Sequence, residues 1–248
     1  MIRMTDDRKQ MADDERRAAN SISVFFPCYN EQDNVAHTAE QALAVLEKLG
    51  ADFEIIIVDD GSSDATGQIA DEIAGRDSRV RVVHHQTNLG YGAALQSGFK
   101  AATKELVFYT DGDGQFDISE MPVLLPLMAQ YDIVSCYRLN RQDNLIRRIN
   151  GWAWTKLACL LFGMKIRDID CAFKLYKREI FDKIKLSSTG ALIDTEILAR
   201  AIRRGYTITQ KPVHHYPRTA GVQTGAKVRV IFRAFKELLQ LRSQIRRS

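Results

Sequence analysis

Phe53-Glu54-Ile55-Ile56-Ile57-Val58-Asp59-Asp60-Gly61-Ser62-Ser63-Asp64 decides the fold. Its first half is a nearly unbroken run of β-branched and aromatic side chains, which predicts a buried strand over 53–58. Its second half switches to carboxylates, a glycine and hydroxyls, the chemistry of a turn. Asp64 then stands where a helix cap would. Outward from this stretch the pattern repeats. The run 22–26 ends at Pro27 and reads as an earlier strand. Val35, Ala39, Ala42, Leu43, Leu46 and Leu49 recur at helical spacing, with Gly50 closing that helix. Later come a helix over 64–74 stopped by Gly75, a strand over 80–84, a helix over 91–103 and a strand over 106–110. A helix over 119–130 and a strand over 132–136 follow. Strands alternating with helices of this length predict an α/β fold: a mainly parallel central sheet with helices on both faces.

After residue 137 the alternation breaks. Residues 144–163 read as a basic amphipathic helix or helix pair, 172–177 as a strand and 191–205 as a helix. From Lys227 on, Val228, Ile231, Phe232, Phe235, Leu238 and Leu239 share one helical face. The expected organisation is a solvated tail over 1–20, an α/β domain over 21–226 and a basic amphipathic C-terminal helix over 227–248.

Composition narrows the class. The 248 residues are 45% hydrophobic and 27% charged, enough to bury a core. The most apolar stretch, 152–164, contains Lys156 and falls short of the about 20 residues a spanning helix needs. No signal-peptide core stands at the N-terminus. Cys28, Cys136, Cys159 and Cys171 are scattered, so neither a disulfide framework nor a zinc site is expected, and a reducing cytosol is. The net charge of +4 hides two basic patches, +7 over 138–178 and +6 over 225–248. They imply an anionic partner: phosphate, a membrane surface or nucleic acid, although no nucleic-acid motif is present.

In open α/β sheets ligands bind beyond the carboxyl ends of the strands. Four polar clusters fall there: 27–31, 59–64, 88–94 and 111–117. Glycines at 90, 92 and 98 do not have dinucleotide-fingerprint spacing, and no P-loop is present. The segment 111–117 begins like a calcium loop but has Phe116 and Pro122 where glycine and glutamate belong. What remains is an Asp111-x-Asp113 pair after a buried strand, suited to Mg2+ or Mn2+ that also binds substrate phosphates. Adjacent His214 and His215 would face opposite sides of a strand, which argues against one shared metal.

Pro27-x-Tyr29-Asn30-Glu31, Val58-Asp59-Asp60-Gly61-Ser62-x-Asp64-x-Thr66, Asn88-x-Gly90-x-Gly92 and Asp111-x-Asp113 resemble, in order and spacing, the inverting family 2 glycosyltransferases of GT-A fold. Gln115, Tyr137-Arg138, Asp168-x-Asp170-x-x-Phe173-Lys174 and Pro212-x-x-x-x-Pro217-Arg218-x-x-Gly221 resemble its dolichyl/polyprenyl-phosphate mannose synthase branch. Gly112, Cys171-Ala172 and Lys174 depart from that branch's usual residues.

The resemblance implies a Rossmann-like GT-A domain and a hexosyltransferase. It would move a sugar, mannose or glucose, from a GDP- or UDP-sugar to a polyprenyl or dolichyl phosphate at the cytoplasmic membrane face. A separate membrane-anchored subunit would be one way to hold it there. Pro27, Tyr29, Glu31, Asp60, Asp111 and Gly112 would bind the nucleotide sugar. Asp111, Asp113 and Gln115 would bind Mg2+ or Mn2+, and Arg218 would clamp the phosphates. Arg138, Arg147 and Arg148 would hold an acceptor phosphate. A saccharide hydroxyl of a cell-envelope glycan or glycolipid, the alternative acceptor, would need a general base, for which Asp194 and Glu196 stand ready; both also read as helix N-terminal acids. Basic, apolar 138–178 fits an interfacial helix or one packed on the core. A non-catalytic nucleotide-sugar-binding partner and a nucleotidyltransferase complete the alternatives.

Overall fold

The computed structural model describes residues 21–139, 145–217 and 237–245, with the backbone alone over 145–148. Seven strands form one sheet: β1 Ser21–Cys28, β2 Asp52–Asp59, β3 Val80–His84, β4 Leu106–Thr110, β5 Ile133–Leu139, β6 Phe173–Lys177 and β7 Ile208–His214. Their spatial order is β3-β2-β1-β4-β6-β5-β7. β1, β2, β3 and β4 run parallel, β6 is antiparallel to both β4 and β5, and β7 is parallel to β5. Among the described residues the helices that accompany them are α1 Val35–Leu49, α2 Thr66–Arg76, α3 Tyr91–Ala101, α4 Leu145–Phe162, α5 Glu179–Lys183 and α6 Ile193–Arg203. Residues 237–245 are also helical.

The chain winds from β1 outward to β3, then returns across β1 to lay β4 on its other side. The strand order therefore reverses between β1 and β4, and such a switch point opens a crevice at the strand ends. Pairing of β1 with β4 runs only from Ile22↔Leu106 to Phe25↔Tyr109, whereas β1 stays paired with β2 as far as Cys28↔Asp59. Pro27, which has no N–H to donate, stands where the β4 ladder has ended.

Most expected elements are present, with differences that have physical causes. α2 runs through Gly75 to Arg76; Gly75 is not left-handed, and the helix ends only when Asp77 turns extended. The helix over Ile118–Ala129 is wound as 3-10, because Pro122 and Pro126 remove backbone donors from it. β7 went unanticipated: Ile208–His214 is an edge strand with little apolar character and carries Pro212, as edges tolerate. Gly50, at φ 65°, closes α1 as its position predicted. The tail over 1–20 and most of the expected C-terminal helix lie outside the described residues.

Packing fixes the crevice. Phe25 stacks on Tyr109 and meets Phe99 edge-on, tying β1, β4 and α3 together. α3 approaches β1 through Gly98, where a Cβ would lie 2.3 Å from the Phe25 ring. Gly98→Ala should therefore lower unfolding stability by about 1–3 kcal/mol, read as a reduced midpoint in urea denaturation.

Candidate active site

The site assembles around Cys28, the last residue of β1. Cys28 is buried beside Glu31, Asp59, Asp111 and Asp113; burial first, and then these four charges, push its thiol well above the usual range. It is therefore an inert spacer, and its electrostatic surroundings show that loops far apart in sequence converge. The Asp60 N–H donates to the Cys28 carbonyl at 2.9 Å on the β2 side. On the β4 side a Cβ on Gly112 would meet Cys28 Sγ at 2.5 Å and the Pro27 carbonyl oxygen at 3.3 Å.

Each acid has donors that hold it. Asp59 accepts from the Ser62 N–H at 3.0 Å and pairs with His84 Nδ1 at 3.0 Å. Asp60, 3% exposed, accepts the Leu89 and Gly90 N–H groups at 2.9 Å each. His85 Nδ1 lies 2.6 Å from the same carboxylate, and its Nε2 lies 2.8 Å from Ser97 Oγ. Asp60 thus anchors the turn that starts α3. Glu31 accepts from Asn34 Nδ2 at 2.7 Å while its own N–H donates to Thr66 Oγ1 at 2.8 Å. Asn30 takes the left-handed conformation, φ 56°, and accepts the Ser63 N–H at 2.9 Å. It binds the β2–α2 turn and does not cap α1. Tyr29 stands 43% exposed at the rim, its ring open to solvent.

Asp111 follows β4. Burial and the neighbouring Asp113 charge push its carboxyl up to about 8, against the lowering effect of a 3.0 Å hydrogen bond from the Tyr91 hydroxyl. Asp113 accepts the Gln115 N–H at 3.1 Å. Gln115 Nε2 donates to the Tyr216 carbonyl at 3.0 Å, and the Tyr216 N–H donates back to the Gln115 carbonyl at 2.9 Å. The end of the β7 segment is thereby pinned to the acid loop; Arg218 lies outside the described residues. Among the described residues no three His, Cys, Asp or Glu groups form a self-sufficient metal cluster. Two neighbouring carboxylates, with burial and then mutual repulsion both opposing the charge on Asp111, nevertheless fit a divalent cation that completes its shell with substrate phosphates and water.

On β6, paired with Tyr109 of β4, Lys174 is 0% exposed; its Nζ donates to Asp194 Oδ1 at 2.7 Å, the Cys171 carbonyl at 2.6 Å and Tyr109 Oη at 3.0 Å. The Tyr109 hydroxyl also donates to Asp194. Glu196 accepts from Ser187 N, Ser187 Oγ, Ser188 N and Arg200 Nε at 2.7–3.0 Å. Burial opposes its ionisation, but these bonds outweigh burial and hold the carboxyl below its usual range. Arg138 forms a two-pronged ion pair with Asp168, both contacts at 2.8 Å. Burial, then the Asp194 and Asp168 charges, raise Asp170 to about 6. Arg147 and Arg148 lie on α4, with side chains outside the described residues.

Residues 23–185 match the glycosyl transferase family 2 profile. The chain belongs to that family. Over 211 residues it is 32% identical to glycosyltransferase AglD of Haloferax volcanii, covering 81% of this chain and 34% of that protein. Over 226 residues it is 30% identical to the dodecaprenyl-phosphate galacturonate synthase of Rhizobium johnstonii, covering 90% of this chain and 65% of the relative. An undecaprenyl-phosphate 4-deoxy-4-formamido-L-arabinose transferase of an Enterobacter species is 32% identical over 216 residues, covering 86% and 65%. The chain thus spans between a third and two thirds of the length of these curated relatives. Among solved structures, glucosyl-3-phosphoglycerate synthase of Mycobacterium tuberculosis with Mn2+, UDP-glucose and phosphoglyceric acid superposes with a TM-score of 0.68 at 17% identity. That match covers 92% of this chain and 80% of the other. A further structure of that enzyme contains Mg2+ and UDP. The likeness establishes the GT-A fold.

As a family 2 glycosyltransferase, the chain brings together Cys28, Glu31, Asp111 and Asp113, and sets Asp60 against the same strand end. Sequence reasoning noted Tyr91 only as part of the 88–94 cluster, without a role, and missed His85, just beyond β3, and Ser97 in α3; only their partners single them out. It did note Lys174, as a departure, without foreseeing a buried ion pair.

Two outcomes follow from this geometry. Gly112→Ala should cost about 1–3 kcal/mol of stability, and adding Cys28→Ala should recover much of it, measured by denaturation of the single and double variants. Glu196 contributes stability that is full above its ordinary value of 4.5 and is lost as pH falls through its lower folded value. Glu196→Gln should flatten that acid limb, seen by measuring unfolding free energy against pH.

Proposed function

We propose that the protein transfers a sugar from a nucleoside diphosphate sugar to a polyprenyl phosphate at a membrane surface, with help from a divalent cation. The observation that carries this reading is the Asp111–Asp113 pair after β4 at the switch point between β1 and β4, with Gly112 between them close against Cys28 and Pro27. The named polyprenyl-phosphate transferases among the relatives support the acceptor class. Pro27, Tyr29 and Glu31 grip the base and ribose, with Asp60 shaping the wall beside them. Asp111, Gly112, Asp113 and Gln115 face the diphosphate, and Asp111, Asp113 and Gln115 hold Mg2+ or Mn2+. When bound, that cation offsets charge growing on the departing nucleotide. Arg218 adds a clamp on the same phosphates.

An acceptor phosphate is anionic at neutral pH and attacks without surrendering a proton. This matches the chemistry at Asp194 and Glu196, whose oxygens accept bonds from Lys174, Tyr109, Ser187, Ser188 and Arg200. Because Arg138 is paired with Asp168, holding the acceptor phosphate falls chiefly to Arg147 and Arg148. Transfer to a saccharide hydroxyl is the second reading, and the raised Asp170, a base poised near neutrality, is the observation in its favour.

α4 supports the membrane location. Ile149, Trp152 and Leu160 are 53%, 62% and 80% exposed, spaced along one helical face with Lys156 among them. An apolar stripe with basic neighbours suits the headgroup boundary. No described helix is long and apolar enough to cross a membrane. We place the protein peripherally, at the cytoplasmic face, with a membrane-anchored subunit as a candidate partner.

The decisive assay incubates the protein with Mn2+, radiolabelled UDP- and GDP-sugars and short polyprenyl phosphates, followed by organic extraction. Label in the organic phase is expected; label confined to an aqueous glycan product would select the second reading. Asp113→Ala should abolish metal-dependent transfer, and an unchanged rate would discard the cation assignment. Trp152→Glu should weaken co-sedimentation with anionic lipid vesicles while sugar transfer to a detergent-dispersed acceptor persists.

A further inference from the structure

Tyr91 stands between Gly90 and Gly92, and its flanks are fixed independently. On one side Asp60 accepts the Leu89 and Gly90 N–H groups at 2.9 Å each, clamping the turn into α3. Gly90, at φ 97°, has no room for a side chain, since a Cβ would lie 2.8 Å from the Thr189 carbonyl oxygen. On the other side the Gly92 N–H donates to that same carbonyl at 2.9 Å. A Cβ on Gly92 would stand 2.5 Å from the Ser188 carbonyl oxygen and 2.7 Å from that of Gly190. The segment 187–190 is in turn held by Glu196 through the Ser187 and Ser188 N–H groups, and by Gln96, whose Nε2 donates to the Ser188 carbonyl at 2.9 Å. Tyr91 therefore cannot slide along the α3 axis. Its hydroxyl, carried on a rigid ring, donates to Asp111 Oδ1 at 3.0 Å.

We propose that Tyr91 is a positioning residue for the cation-binding carboxylate: its hydroxyl fixes the orientation of Asp111, and the Asp60 turn and the Glu196-held segment exist to aim it. The inference rests on Asp111 and Asp113 as cation ligands. A hydrogen bond to a ligand from outside the coordination shell sets that ligand's orientation, and losing one typically weakens metal binding by about 10–100-fold. Glu196 thereby acts on the chemistry at a distance, through the backbone it holds.

The test is Tyr91→Phe, which removes only the hydroxyl. Free Mn2+ is followed by electron paramagnetic resonance during titration of wild type and variant in the presence of UDP, or of GDP if wild type binds only that nucleotide. Nucleotide affinity in EDTA and the thermal midpoint are measured alongside. The expected result is Mn2+ affinity weakened about tenfold, with nucleotide affinity in EDTA and midpoint unchanged. Unchanged Mn2+ affinity, or an equal loss of nucleotide affinity in EDTA, would overturn the role of Tyr91. Asp111→Asn separates the two levels of the argument: if it binds Mn2+ like wild type, the cation assignment itself fails.

Discussion

Mutual repulsion among carboxylates is the constraint on which this structure depends. Glu31, Asp59, Asp111 and Asp113 all act on the single thiol of Cys28. Like charges this close raise one another's proton affinity unless donors or cations intervene. The fold supplies donors from outside the cluster: His84 to Asp59, Asn34 to Glu31, Tyr91 to Asp111, and the Leu89–Gly90 turn to Asp60. Much of the architecture around β1 serves to deliver those groups. At the end of β4 the Asp111 carboxyl is still pushed upward by burial and by the Asp113 charge despite its bond from Tyr91, so the repulsion is felt most plainly there.

A second electrostatic joint lies beside β4. Lys174 on β6 and Asp194 on α6 are both buried, and Tyr109 on β4 bonds to each. A buried pair of this kind gives little net stability compared with apolar packing, but breaking one partner is costly. Its effect is to lock β4, β6 and α6 in one arrangement, so that the strand leading into Asp111 cannot shift without breaking the pair.

The half of the sheet from β1 to β4 was legible because its elements are local. The apolar run 53–58, the helical spacing from Val35 to Leu46 and the left-handed Gly50 each declare themselves within a dozen residues. The clusters at strand ends were legible for the same reason, since parallel strands place their carboxyl ends on one edge. What escaped depends on partners remote in sequence. Tyr91 gains meaning only from Asp111, and Glu196 only from the turn at Ser187 and Ser188. Arg138 has an acid partner thirty residues away in Asp168 that no spacing rule identifies. Gly75 misled because a glycine inside a helix stops it only if the backbone turns left-handed there, and it does not.

The reversed direction of β6 has a broader consequence. β5 leaves the sheet, and β6 re-enters it, at the edge where β4 delivers its acids, because Thr110 pairs with Phe173 at the start of β6. The connection that carries α4 therefore leaves and rejoins the sheet at the same edge. The parallel ladders among β1, β2, β3 and β4 form without that connection, so the two halves of this edge are held by separate sets of backbone bonds.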